Sequence, residues 1–424
     1  MTTLEQNAQS ITDEVIAKYQ KHVNPTQVAL LKIGGFDHIE QTASGTTVTD
    51  LDGNSYLDCL GGYGVFSLGH RHPKVVEAVK RQLDLMPLSS KTFLNKPLAD
   101  LAERLAQITP EGLEYTFMCN SGAEAVEGAL KIARMATGRQ KIVACAEGFH
   151  GKTMGALSTT GREMYRTPFG PLIPGVEHVA WDDIPAAEAA ISGETAAFIV
   201  EPIQGEGGIR VPADNYLPRL REICDDTGTL LIVDEIQTGL GRTGKLFAVD
   251  HWGVRPDIMT LAKSLGGGVM PVGAIMSTAA IWDRVFRANP FIHTSTFGGN
   301  ELACVAALAA LEVILDEDLP ARAATMGEYF LTGLRALQKQ HSDIFVDVRG
   351  KGLMLGLEVS DADIAKILIG ALVHEGVIVA YTLNNPKVLR IEPPLIITKS
   401  EVDMVLRALD AGASQAKELL AMFA

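Results

Sequence analysis

One lysine, Lys263, stands in the stretch PDIMTLAKSLGGG (256–268), after a mainly apolar run and before a glycine-rich turn. A surface lysine at a strand end is the plain reading. The sharper one is an amine withdrawn from water, neutral enough to attack a carbonyl carbon and form a Schiff base. A second run, LLIVDEIQTGLGRTG (230–244), leads four apolar residues straight into Asp234 and Glu235. Carboxylates at the end of a buried strand are costly unless they are paired. Solvated acids would explain them. So would a cationic partner such as a pyridine nitrogen, which an aspartate keeps protonated and electron-withdrawing.

Other stretches add to this inventory. In CNSGAEAVEGALKIA (119–133), Ser121 and Glu124 have capping-box spacing, so a helix is expected to start there. The start of such a helix, at Ser121, Gly122 and Ala123, offers free amides and the positive end of a dipole to an anion. An ordinary capped helix accounts for the same pattern. EGFHGKTMGALS (147–158) follows an apolar run and supplies Phe149 and His150, either able to stack on a flat ring, although a core aromatic is the plainer choice. EPIQGEGG (201–208) carries Glu201 and Glu206, HTSTFGGNELA (293–303) is rich in hydroxyls and glycines, and LRIEPPL (389–395) puts Arg390 in an expected strand. A structural salt bridge or a bound carboxylate would each explain Arg390. Taken together, the stretches contain a phosphate site, a pyridine partner, ring-stacking groups and an aldehyde-capturing amine, which is the set a pyridoxal phosphate site needs.

These residues need elements to hold them. KIVACA (141–146), TAAFIVE (195–201), TLLIVDE (229–235), DIMTLA (257–262) and VGAIMS (272–277) read as strands buried on both faces. Helical stretches such as 125–138 and 216–228 lie between several of them, and this alternation predicts an α/β fold with a largely parallel sheet covered by helices. Ligands in such sheets sit beyond the carboxyl ends of the strands, where the residues above fall. DIFVDVRGKGLMLGLEVS (343–360) reads as two strands joined at RGKG, followed by a helix over 362–376, another strand pair and a last amphipathic helix. The expected division is an N-terminal segment (1–60) contributing to a small α+β domain, a large domain (61–302), and a C-terminal part of the small domain (303–424).

Composition narrows the function. The 424 residues are 47% hydrophobic and 21% charged, enough for a large core, and the formal net charge of −14 disfavours nucleic acid and anionic membranes as partners. The five cysteines form no CxxC pair and most lie in apolar sequence, as expected for reduced core thiols in the cytoplasm. The ten histidines show no HExxH spacing, so no metal site is expected. The N-terminal stretch lacks the basic and apolar regions of a secretory signal, and no run reaches the ~18 apolar residues of a membrane helix.

At this point the chain resembles the class III (ω-amino acid) aminotransferases, of fold-type I among the pyridoxal phosphate enzymes. The likeness runs from about residue 45 to the final helix, and NSGAEAVE, GFHG, VEPIQGEGG, LIVDEIQTGLGRTG, LAKSLGGG and TSTFGGNELA occur in family order. It implies a seven-stranded sheet domain with a smaller α+β domain from both chain ends. It implies that Lys263 is the Schiff-base lysine and proton shuttle, Asp234 the pyridinium partner, and Gln237 the neighbour of the ring hydroxyl. Phe149, with His150 beside it, and Ile236 would lie against the ring. Ser121, Gly122 and Ala123 would form the phosphate turn; the family usually has threonine at position 123, and alanine removes a side-chain donor. Thr296 would reach the phosphate of a neighbouring subunit, which implies a homodimer or a dimer of dimers. DCLGGYGVFSLGHRHP, GGGVMPVGA, FIHTSTFGGN and LNNPKVLRIEPPL lean towards members acting on diamines such as putrescine and cadaverine, ahead of those using ornithine or acetylornithine. Arg390 would take the acceptor's carboxylate, Glu206 would be the gate that covers Arg390 when a diamine is bound, and Tyr63 is a candidate for the substrate wall.

Overall fold

The computed structural model describes residues 3–423. Its centre is a mixed seven-stranded sheet in the order Leu113–Cys119, Gly273–Thr278, Ile258–Leu261, Leu230–Asp234, Thr195–Val200, Lys141–Cys145, Val176–Val179. Pairing is parallel except along Gly273–Thr278, which runs against both neighbours. All six residues of Thr195–Val200 are buried, as a strand covered on both faces requires. The five strands expected from apolar runs are present. The two strands at the sheet edges, Leu113–Cys119 and Val176–Val179, escape that signal because they are half-exposed and carry Glu114, Tyr115 and Glu177.

Helices cover the sheet. Gly122–Thr137 and Tyr216–Thr227 each stop at a glycine with positive φ, Gly138 (70°) and Gly228 (65°), the left-handed cap that releases the chain into the next strand. The C-terminal sheet has the order Phe345–Lys351, Met354–Val359, Val388–Ile391, Ala380–Tyr381. Its first two strands are joined at Gly352 and Leu353, later than expected, so Arg349, Gly350 and Lys351 belong to a strand and not to the turn. A third sheet joins Glu40–Ser44, Thr47–Asp50 and Ser55–Asp58 to Val377–Ile378, which ties the N-terminal segment to the C-terminal one. The five cysteines are buried and unpaired.

Two clasps fix these parts together. Arg242 is fully buried and donates to the carbonyls of Leu353 (3.0 Å) and Pro393 (2.5 Å) and to Ser67 Oγ (3.2 Å). The Glu392 amide bonds to the Cys59 carbonyl at 2.7 Å, and a Cβ on Gly61 would lie 2.3 Å from the Glu392 carbonyl oxygen. The loop after Ser55–Asp58 is therefore seated directly on the strand that carries Arg390.

Helix Leu319–Gln340 packs as closely on the Gly352 turn: a Cβ on Gly327 would meet the Gly352 carbonyl oxygen at 2.0 Å, whereas one on Gly370 meets nothing within 4 Å. Alanine normally stabilises a helix interior over glycine by about 1 kcal/mol. Gly370→Ala should follow that rule. Gly327→Ala should reverse it, losing about 1–3 kcal/mol to the forced backbone shift. Thermal unfolding of the two variants checks this, and equal shifts would refute it.

Candidate active site

The residues singled out at strand ends converge where a parallel sheet allows, beyond the carboxyl ends of its strands. Asp234 ends Leu230–Asp234 and is 3% exposed. Its Oδ1 accepts from Thr260 Oγ1 and from the Ile236 amide, both at 3.1 Å, and its Oδ2 lies 2.7 Å from His150 Nδ1. Burial alone would lower the His150 pKa, but the hydrogen bond and charge of Asp234, with the charge of Glu201, outweigh it and raise it. His150 Nε2 is buried without a partner. Glu235 turns the other way, to the Thr238 hydroxyl and the Val249 amide (2.7 Å), so the two adjacent acids divide into one at the site and one that fixes a loop.

Glu201 also ends a strand run. It accepts from the amides of Phe149 (2.9 Å) and Gly205 (3.1 Å), and burial pushes its carboxyl up to about 7. Ser121 caps helix Gly122–Thr137 by accepting from the Glu124 amide at 3.2 Å. The return bond of the expected capping box lands one residue early: Glu124 Oε2 takes the Asn120 amide (2.8 Å) and Asn120 Nδ2 (2.9 Å). Gly122 lies close under Ile236: a Cβ there would come within 2.9 Å of Ile236 Cδ1 and displace that side chain.

Lys263 opens a short 3₁₀ turn at φ 48°, a left-handed conformation that is uncommon for a side chain with a Cβ. Its amine has no hydrogen-bond partner among the described residues. Burial holds its pKa below the ordinary lysine value, against the opposing pull of Glu392 and Glu206 and with the help of Arg390.

One cavity of about 500 Å³ brings together Ser121, Gly122, Ala123, Phe149, His150, Asp234, Ile236, Gln237 and Lys263. Glu201 and Asn120, given no role from sequence, line it too. The strand-end signal that marked Asp234 applies equally to Glu201; Thr260, which holds Asp234, carried no signal. Gln237 Nε2 donates to both carboxylate oxygens of Glu392 (2.9 and 3.0 Å), a partner also missed. Arg390, Glu206 and Tyr63 form a neighbouring group outside this lining. Arg390 Nη2 donates to Glu206 Oε2 at 2.6 Å, with both side chains buried, and Tyr63 lies with its ring 5.2 Å from the guanidinium. Arg390 Nε and Nη1 have no partner. Burial would raise the Glu206 pKa, but Arg390 and the Leu383 amide (2.8 Å) outweigh it and hold it below the usual range. Thr296 is exposed and does not line this cavity.

The model of the family "Aminotransferase class-III" matches residues 36–411. The chain belongs to the class-III aminotransferases. It is 46% identical over 412 residues to a putrescine aminotransferase of Pectobacterium atrosepticum, covering 94% of this chain and 88% of that one. Its fold is similar to that of an ornithine aminotransferase from Toxoplasma gondii (35% identity, TM-score 0.89, 99% of each chain). It is also similar to an (S)-enantioselective ω-transaminase from Thermomicrobium roseum (33% identity, TM-score 0.89, 95% of this chain and 98% of that one). The protein is therefore a pyridoxal-phosphate-dependent transaminase of fold-type I. The site's own chemistry fits that cofactor: an unpartnered amine, a carboxylate held by three donors and a helix start line the same cavity.

A lowered lysine pKa means that the neutral amine is present at lower pH. Apo-protein should therefore recapture pyridoxal phosphate at a rate that rises with pH and levels off below the ordinary lysine range. The yellow absorbance of the reloaded protein follows this, with Lys263→Ala as the blank. A rate still climbing through the ordinary range would contradict the burial effect at Lys263.

Proposed function

We propose that the chain transfers a terminal amino group from a diamine, putrescine or cadaverine, to a keto acid such as 2-oxoglutarate. Ornithine, acetylornithine or another ω-amino acid is the alternative donor, favoured by the fold's likeness to an ornithine aminotransferase. The observation that carries the reading is the buried pair of Arg390 and Glu206. A diamine has no carboxylate to offer Arg390, so its charge must be met from within the protein. The dicarboxylate acceptor does have one, and the two unpartnered nitrogens of Arg390 are suited to a bidentate grip. Glu206 covers Arg390 in one half-reaction and yields it in the other. The likeness to a putrescine aminotransferase supports the same donor class.

When bound, pyridoxal phosphate supplies an aldehyde that takes up the amino group and a ring that accepts the electron pair left on the substrate carbon. The chain does the rest. The amides of Ser121, Gly122 and Ala123 would hold the phosphate, Phe149 and Ile236 the ring faces, and His150 the aspartate beneath. Asp234 would keep the ring nitrogen protonated. Gln237, with its nitrogen committed to Glu392, would meet the ring hydroxyl with its oxygen. Lys263, displaced by the donor amine, would take the proton from the substrate carbon and return it on the cofactor side. Tyr63 would wall the substrate, and Thr296 would serve the phosphate of a second subunit in a homodimer or a dimer of dimers. No described helix is long and apolar enough to cross a membrane, and the buried thiols suit a reducing cytoplasm.

The first test is a single half-reaction. Putrescine alone should bleach the yellow enzyme faster than ornithine alone. Bleaching by ornithine only would move the donor to the amino acids and leave the mechanism intact. Glu206→Gln removes the ion-pair partner of the buried Arg390, a change of several kcal/mol in such settings. It should slow the putrescine half-reaction at least about tenfold and the keto-acid half-reaction much less. Equal losses in both would end the gate assignment.

A further inference from the structure

Behind the loop that carries Glu206 lies a second cavity, of about 490 Å³, separate from the cofactor site. Its lining is charged and nearly balanced: Arg162, Arg210 and Arg349 against Glu147, Asp182 and Glu358. Most of these groups are already matched. Arg162 pairs with Glu147 at 3.3 Å, Arg349 with Glu358 at 2.6 Å, and Asp182 accepts the Ala213 amide at 3.1 and 3.2 Å. Arg210 is the exception. Its backbone is fixed by two 3.0 Å bonds to Gln204, yet its half-buried guanidinium has no ion pair or hydrogen bond among the described residues. Burial, then the nearby charge of Arg349, pull its pKa down, against the opposing pull of Glu147 and Asp182.

A second group in the cavity is unsatisfied in the opposite sense. Asn384 is 3% exposed and donates through Nδ2 to the Glu147 carbonyl at 2.7 Å, but its Oδ1 is a buried acceptor without a donor. A buried polar atom left in this way costs roughly 1–3 kcal/mol. The cavity therefore lacks an anion at Arg210 and a hydrogen-bond donor at Asn384. A doubly charged anion would upset the balance of the lining, whereas a zwitterion preserves it. We infer that the cavity is a binding site for a small amino acid, its carboxylate on Arg210 and its ammonium on Asn384 Oδ1 and Glu147. The position gives the site a bearing on the gate. Arg349 donates to the Gly208 carbonyl at 2.8 Å, the Asn384 amide bonds to the Glu206 carbonyl at 2.9 Å, and the next amide, of Leu383, holds the Glu206 carboxylate.

The test is equilibrium dialysis of the holoenzyme with labelled 2-aminoisobutyrate, which has no α-proton to lose, while the cofactor spectrum is recorded. Saturable uptake that leaves the spectrum unchanged is expected. Arg210→Gln should weaken that uptake at least about tenfold while turnover with the enzyme's substrates is retained. Arg210→Lys, which keeps the charge, should fall between the two, so a glutamine variant that fails to fold does not decide the matter. Isobutyrate and isopropylamine, each with half the recognition, should bind at least about tenfold more weakly. The inference is overturned if no such uptake occurs, if uptake always moves the spectrum, if both Arg210 variants bind like the parent, or if isobutyrate binds as well as the amino acid.

Discussion

The site rests on a charge held where water is nearly absent. Asp234 closes a strand whose neighbours are buried, and an isolated carboxylate there would be expensive. The fold meets it with the next strand's Thr260, the Ile236 amide two residues on, and His150 from the loop after Lys141–Cys145. These come from three different parts of the chain. The carboxylate can be buried only once the parallel strands are in register, so forming the sheet and burying Asp234 are one event.

The same logic operates between the sheet domain and the C-terminal strands. Arg390 is fully buried on Val388–Ile391, and the group that meets it, Glu206, comes from the loop after Thr195–Val200. Leu383 and Asn384 then bind that loop a second time through their amides. A buried ion pair adds little net stability once desolvation is counted. Its value here lies in position, since it ties the loop after one sheet to a strand of the other. Gly61 and the strained Tyr63, at φ 61°, press the N-terminal segment against the same strand.

How much of this could be read beforehand followed from where each signal resides. Strands buried on both faces announce themselves as apolar runs, and Thr195–Val200 did. Leu113–Cys119 and Val176–Val179 did not, because an edge strand shows solvent one face and its sequence is correspondingly mixed. Residues at strand ends, such as Lys263 and Asp234, stood out because a charge after an apolar run is unusual. Their joint meaning came from the set of motifs and from family resemblance. Glu201 carries the same signal, a charge directly after a buried apolar strand. Thr260 and Glu392 could not be found in this way. Each acts through a partner distant in sequence, Glu392 on Gln237 155 positions away, and only folding reveals the pairing.

These separate clusters act on one atom. Burial lowers the Lys263 pKa, Glu392 and Glu206 oppose it, and Arg390 assists it. The acids and the guanidinium belong to the Arg390–Glu206 pair and to the Gln237–Glu392 contact, not to the lining of the cavity that holds Lys263. Any rearrangement of the Arg390–Glu206 pair therefore changes the field at the Lys263 amine. The basicity of Lys263 is in this way tied to an ion pair that its amine does not touch.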